Sequence, residues 1–167
     1  MKIQTIKAKQ ISYSNTNRDR NTVKYIVIHN TGNKGDLATG NARYFAGGNT
    51  RAAGAHFFID HSGEIIKSVP LNRAAWSVGG NKYNNNGGKY YKIVTNSNSV
   101  SIELCDIVDR DPSPAMIKAI KQCIKYIRKY CPNAKTVIRH YDVNGKPCPI
   151  RYVNAKKWAD LKKKIGE

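Results

Sequence analysis

The sequence predicts an α/β fold: a central mixed, mostly parallel β-sheet flanked by helices. Three observations carry this. Short β-branched runs, "KYIVIH", "SVSIEL" and "KTVIRH", read as strands buried on both faces. Long segments with apolar residues at helical spacing lie between and after them. The 167 residues suit one domain around one core, and no internal repeat or second domain is visible.

Taken in order, residues 1–22 are polar and basic, and "SNTNRDRN" reads as loop. The first long strand runs from Lys24 to His29. "GDLATGNARYFAGG" predicts a helix capped by Asp36 and ended by Gly47 and Gly48. "AHFFIDHSGEIIKSV" predicts a hairpin turning at "HSGE", with His61 exposed in the turn. The Asn-, Gly- and Tyr-rich segment over 80–98 reads as a long surface loop, functional or merely tolerated.

In "SVSIELCDIV", alternation puts Val100, Ile102 and Leu104 on one face and Ser101, Glu103 and Cys105 on the other. A carboxylate in mid-strand is costly to bury without a partner. Glu103 therefore either pairs with a basic residue or is aimed into a site. Ser113 and Pro114 open a helix as N-cap and first residue. Its apolar positions run from Met116 to Ile127, and it stops at Pro132. A last helix starts near Asn154 and buries Trp158, Leu161 and Ile165.

Twenty-nine Lys and Arg against eleven Asp and Glu give a formal charge of +18. Such a surface seeks polyanions. No zinc-finger spacing or aromatic RNA-binding signature is present, so a nucleic-acid partner is not expected. No apolar stretch reaches the roughly 20 residues that span a bilayer, so membrane insertion is not expected either. The N-terminus shows no signal-peptide pattern, which implies synthesis in the cytoplasm. No obligate protein partner is evident. Cys105, Cys123 and Cys131 read as small buried hydrophobes. Cys148 stands apart, between two prolines and beside Lys146, a neighbour expected to favour the thiolate.

His29 and His140 each end a strand, and in open α/β sheets chemistry gathers at the carboxyl ends of strands. Were the two strands neighbours, both imidazoles would converge, with Cys148 one short loop away. Two imidazoles and a thiolate match the three-ligand pattern of catalytic zinc, whose fourth position is left open. A metal-free reading, Cys148 as nucleophile with His140 as its base, uses the same residues.

The segments "YIVIHNTG", "GAHFFIDHSGEI", "NSVSIELC" and "RHYDVNGKPCP", in this order and spacing, resemble the type-2 N-acetylmuramoyl-L-alanine amidases, a family that includes phage and prophage endolysins and shares its fold with the peptidoglycan recognition proteins. The resemblance implies zinc (Zn2+) held by His29, His140 and Cys148, with Lys146 polarising the scissile carbonyl and Glu103 as the base. Related enzymes carry a catalytic tyrosine where this chain has Ala55, which leaves that work to Glu103. Asn30, Thr31 and His56 are candidate substrate contacts, with a structural role as the alternative for His56. The implied activity is hydrolysis of the amide between N-acetylmuramic acid and the first L-alanine of the stem peptide, by a phage or prophage lytic enzyme that reaches the wall after release. The alternative is a peptidoglycan-binding protein of the same fold that does not cut. Residues 1–167 are then one catalytic domain with residues 1–22 as an N-terminal extension or loop and no separate wall-binding domain. Peptidoglycan is the expected partner, with anionic teichoic acids as a second.

Overall fold

Six strands form one sheet in the order β1-β4-β3-β5-β2-β6. The strands are β1 (Ile3–Thr5), β2 (Tyr25–Asn30), β3 (Phe57–Ile59), β4 (Ile65–Lys67), β5 (Ser99–Leu104) and β6 (Thr136–Arg139). Among the strand pairings of the described residues, only the β3–β4 hairpin is antiparallel; the other four are parallel. The helices are α1 (Ala38–Arg43), continued by a π-helical turn at Tyr44–Gly48, α2 (Pro114–Tyr130), α3 (His140–Asn144) and α4 (Ala155–Ile165). The structure is a computed structural model and describes residues 2–83 and 87–167. Among them, no helix is long and apolar enough to cross a membrane.

β5 and β2 lie inside the sheet and β6 closes its edge, and both faces of these strands are covered. Ile26, Ile28, Val100, Ile102, Leu104 and Val137 face the main core, which α2 and α4 close with Ile120, Ile124, Ile127, Trp158 and Leu161. Each such side chain taken from water contributes about 1.5–3 kcal/mol. Ser113 caps α2 as its sequence predicts, its hydroxyl accepting from the Met116 N–H at 3.0 Å. On the opposite face two smaller clusters form. Phe58, Ile66 and Cys105 pack under Ala38 and Ala42 of α1. Val27 and Ile138 pack with Val78, Val94 and Val143. The cavity opens on this second face, and His29, Phe58 and Glu103 line it.

Several local expectations change. The segment 1–22 is more than loop, because Ile3–Thr5 adds an edge strand parallel to β4. Three residues are too few to show a period. Arg18 stitches the same segment to the body by donating to the carbonyls of Leu71 (3.0 Å), Asn96 (2.9 Å) and Ser99 (2.7 Å). Asp36 does not cap α1. Its carboxylate accepts from Asn41 Nδ2 at 2.7 Å, and the Ala38 N–H is met instead by Asp60 Oδ2 at 3.0 Å. Asp60 Oδ1 also accepts from the Ser62 N–H and hydroxyl, so one carboxylate holds both the hairpin turn and the helix start. His61 is half-buried rather than exposed, because its Nε2 bonds the Asp106 carbonyl at 2.9 Å.

Candidate metal centre and catalytic cavity

Register assembles the site. β2 pairs with β5 so that His29 lies opposite Glu103, and with β6 so that Ile28 lies opposite Arg139. His140, the next residue, therefore reaches His29, and the ring centroids are 4.6 Å apart. The chain turns into α3 at this point because the Asp142 carboxylate accepts from the Arg139 N–H at 2.8 Å. Gly145 ends α3 at a φ of 81°, a left-handed conformation that favours glycine. The loop then brings Cys148 back, and its carbonyl accepts from the Tyr141 N–H at 2.8 Å. From the other side, Asn30 Oδ1 accepts from the Ile150 N–H at 2.9 Å, and the Asn30 N–H points at Cys148 Sγ from 3.4 Å.

One ligand atom from each of His29, His140 and Cys148 lies within 4.8 Å of the others, and all three residues are buried. His29 Nδ1 is 3.8 Å from Cys148 Sγ. His29 Nε2 and both ring nitrogens of His140 are buried without a hydrogen-bond partner among the described residues. Orphaned buried imidazole nitrogens are costly in a closed core. They are the expected state of a site built to hold a cation, and two imidazoles with one thiol fit a divalent transition metal.

Electrostatics agree with that use. Burial, helped by the His140 and Lys146 charges, holds His29 well below the ordinary histidine range. Burial, then Lys146, brings His140 down to about 4. Both imidazoles are thus neutral and free to ligate at neutral pH. The Cys148 thiol departs from its sequence expectation. Burial, reinforced by the Glu103 charge, pushes it up to about 12, and the pull of Lys146 is too small to reverse this. A cation in the site would supply the missing positive charge.

Glu103 Oε1 stands 3.9 Å from His29 Nδ1, and its side chain is 19% exposed. Burial pushes its carboxyl up to about 7, against the pull of Lys146 and with the Asp36 charge adding to the rise. Lys146 is exposed on the loop after Gly145 and lines the same cavity, whose volume is about 1270 Å3.

Thr31 lines this cavity, and its buried hydroxyl has no partner among the described residues. Asn30 also lines it, although its side-chain oxygen is spent on the Cys148 loop. His56 lies outside the lining. Its Nδ1 accepts from the Ser101 N–H at 3.1 Å and its Nε2 meets the Arg73 carbonyl at 3.0 Å, which uses both nitrogens. Sequence reading missed Asp36, Tyr44 and Trp76 as cavity residues. Trp76, 36% exposed, was the legible one, a lone large aromatic among small residues in "RAAWSVGG". Part of the 80–98 segment, Gly80, Asn81 and Tyr83, reaches the cavity, and Asn84–Asn86 lie outside the described residues. Its far half packs on α3, where a side chain at Gly87 would come within 2.6 Å of Gly145 Cα.

The sequence pattern of N-acetylmuramoyl-L-alanine amidases matches residues 19–151. The chain belongs to this amidase family. It is 31% identical to the N-acetylmuramoyl-L-alanine amidase XlyB of Bacillus subtilis (strain 168) over 146 residues, which are 86% of this chain and 42% of XlyB. CwlA of the same organism is 29% identical, over 85% of this chain and 48% of CwlA. The chain thus spans less than half the length of these curated relatives. Among solved structures, the catalytic domain of XlyA superposes with a TM-score of 0.73 at 26% identity, covering 99% of this chain and 100% of that one. A mutant endolysin from Bacillus subtilis gives 0.70 at 28%, with 99% of both chains covered. PlyL, at 0.74 and 23% identity over 99% of this chain and 97% of its own, shares the fold.

Proposed function

We propose that this family member is a zinc-dependent amidase cutting the bond between the lactyl carbonyl of N-acetylmuramic acid and the first L-alanine of the stem peptide. The observation that carries the reading is the convergence of two neutral imidazoles with unpartnered buried nitrogens, a buried thiol and a raised glutamate at the floor of one open cavity. Zinc held by His29, His140 and Cys148 supplies a Lewis acid that acidifies water and polarises a carbonyl.

Glu103 takes a proton from the water as it adds to the carbonyl carbon. With its carboxyl near 7, it can also return that proton to the departing alanine nitrogen as the C–N bond breaks. The Lys146 ammonium faces the negative charge that develops on the carbonyl oxygen, a stabilisation of about 3 kcal/mol for one such donor. Thr31 offers its unpartnered hydroxyl to the substrate, and Asn30 holds the Cys148 loop while its backbone borders the bound chain. His56 supports β5 through Ser101. A Cys148 nucleophile is the poorer reading, because burial keeps that thiol protonated.

The setting we infer is that of a phage or prophage lytic enzyme, made in the cytoplasm and acting on peptidoglycan after release, with anionic wall polymers as a second partner. Likeness to solved endolysins supports it. The test is release of new alanine α-amino groups from purified peptidoglycan, with and without a zinc chelator. Release abolished by chelation and restored by zinc is expected. Zinc binding and wall binding without release would move the protein to the non-cutting alternative.

A further inference from the structure

The sheet gives the molecule a working face, with the cavity, and a back face covered by α2 and α4. The charge on that back is not evenly mixed. α2 carries Lys118, Lys121, Lys125, Arg128 and Lys129 and no acidic residue over its 17 positions. Arg128 turns to Glu167, with Nη1–Oε1 at 2.7 Å and Nη2–Oε2 at 2.8 Å. The four lysines are exposed, and among the described residues none has a carboxylate partner. They recur at intervals of three and four, so they form one stripe about 16 Å long on the outer side of the helix. Like charges at this spacing weaken a helix, an effect eased within α2 only at Lys129, whose Nζ lies 5.5 Å from the Tyr130 ring centroid and which sits in the last turn.

We propose that this lysine stripe is a docking surface for a linear wall-borne phosphate polymer, held on the face opposite the cavity. The proposal rests on reading the cavity as a wall-amide hydrolase site, which puts the protein beside such polymers. Three features select the occupant. A one-dimensional stripe fits a chain of repeating charges better than a compact anion. Its members are lysines, flexible point charges suited to mobile phosphodiesters, whereas bidentate recognition would use arginine. The adjacent aromatics are already engaged, Tyr126 and Tyr130 with each other at 4.9 Å, Lys67 over Tyr126 and Arg20 over Tyr130, which disfavours base stacking and hence single-stranded nucleic acid. Docking there leaves the cavity free, so one polymer can retain the protein while the wall is cut in front of it.

The experiment compares the full chain with a fourfold variant, Lys118→Gln, Lys121→Gln, Lys125→Gln and Lys129→Gln, which keeps helix propensity. Retention is measured by co-sedimentation on sacculi that carry their phosphate polymer and on sacculi stripped of it by hydrofluoric acid. Turnover is followed on a soluble muramoyl-peptide fragment. The wild type should be retained on intact walls at least tenfold better than on stripped ones. The variant should lose that preference, and its dependence of log affinity on log salt should be shallower by about 3, four contacts at roughly 0.7 each. Fragment turnover should be unchanged, and four Lys→Arg replacements should preserve retention. Wild-type-like retention of the Gln variant on intact walls overturns the proposal. So does equal wild-type retention on stripped walls, or tighter binding to single-stranded DNA than to the isolated polymer. Absent fragment turnover in both proteins, with stripe-dependent retention intact, sinks the amidase reading and upholds the docking surface.

Discussion

Asp142→Asn keeps the shape of its side chain and removes one charge from a pair that joins three parts of the site. Arg139 and Asp142 meet at 2.6 Å (Nη2–Oδ1), with side chains only 10% and 16% exposed. Two further contacts at 3.0 and 3.1 Å run from Nε to the same carboxylate. The other arm of the guanidinium donates to the carbonyls of Tyr152 (2.7 Å) and Val153 (3.0 Å), just beyond Cys148. The pair therefore fixes the end of β6, the start of α3 at His140, and the segment that follows the cysteine. Removing one partner of a buried ion pair costs about 3–5 kcal/mol. Arg139 keeps two carbonyl acceptors, so the low end applies, about 3 kcal/mol. For a chain of this size that lowers Tm by about 6–12 °C. Loosening the support of metal-holding side chains also weakens metal affinity about 10–100-fold. Thermal unfolding of the chelated protein, followed by zinc titration against a competing chelator, reads both effects. A Tm within about 2 °C of wild type, together with unchanged zinc affinity, would refute the argument that this pair aligns His140 and Cys148.

Further outcomes are expected at single positions. Cys148→Ser should lose the zinc-induced rise in Tm and lose turnover with it; a retained rise would remove the thiol from the ligand set. Glu103→Gln should keep zinc while kcat falls about 10²–10⁴-fold, and wild-type turnover should climb with pH through about 7 as the carboxyl ionises, a limb the variant lacks. In chelated protein, His29, His140 (about 4) and His56 (about 3) are held neutral, largely by burial, while the unfolded chain takes up protons below 6.5. Their contribution is present above 6.5 and is lost as pH falls through the folded values. Glu103 works in the opposite sense, its raised carboxyl favouring the fold below 4.5 and losing that contribution as pH rises through about 7. Three groups outweigh one, so the urea midpoint should fall between about pH 7 and pH 5; a rise would contradict the burial argument. Arg18→Ala strips the donor from the carbonyls of Leu71, Asn96, Ser97 and Ser99 and should destabilise by about 1–3 kcal/mol, read as a lower urea midpoint with unchanged zinc affinity.

What could be read from the sequence were the features whose cause is local. Ile120, Ile124 and Ile127 recur at helical spacing, and the Val100/Ile102/Leu104 alternation told which way Glu103 points. His29 and His140 were legible because each closes an apolar run. Features set by distant partners were not legible. Asp60 caps a helix 22 residues upstream, a bond no neighbouring residue announces. β1 exists because β4 offers it an edge. The Cys148 thiol follows the same logic, since a lysine two positions away is visible in sequence, whereas the burial that outweighs it is created only by folding.

Because the strands alternate side-chain direction with a period of two, sliding β2 by one residue against β5 would drive His29 into the oily layer beneath α2 and bring Ile28 to the cavity floor. β2 would have to be in register with β5 and β6 before His29 could meet His140 at the cavity floor. With zinc bound as proposed, cation capture would therefore be a proofreading signal for the fold itself. A refolding chain that takes up metal has, by that act, reported its strands in register, and zinc present during refolding should select the correctly threaded molecules from the slipped ones.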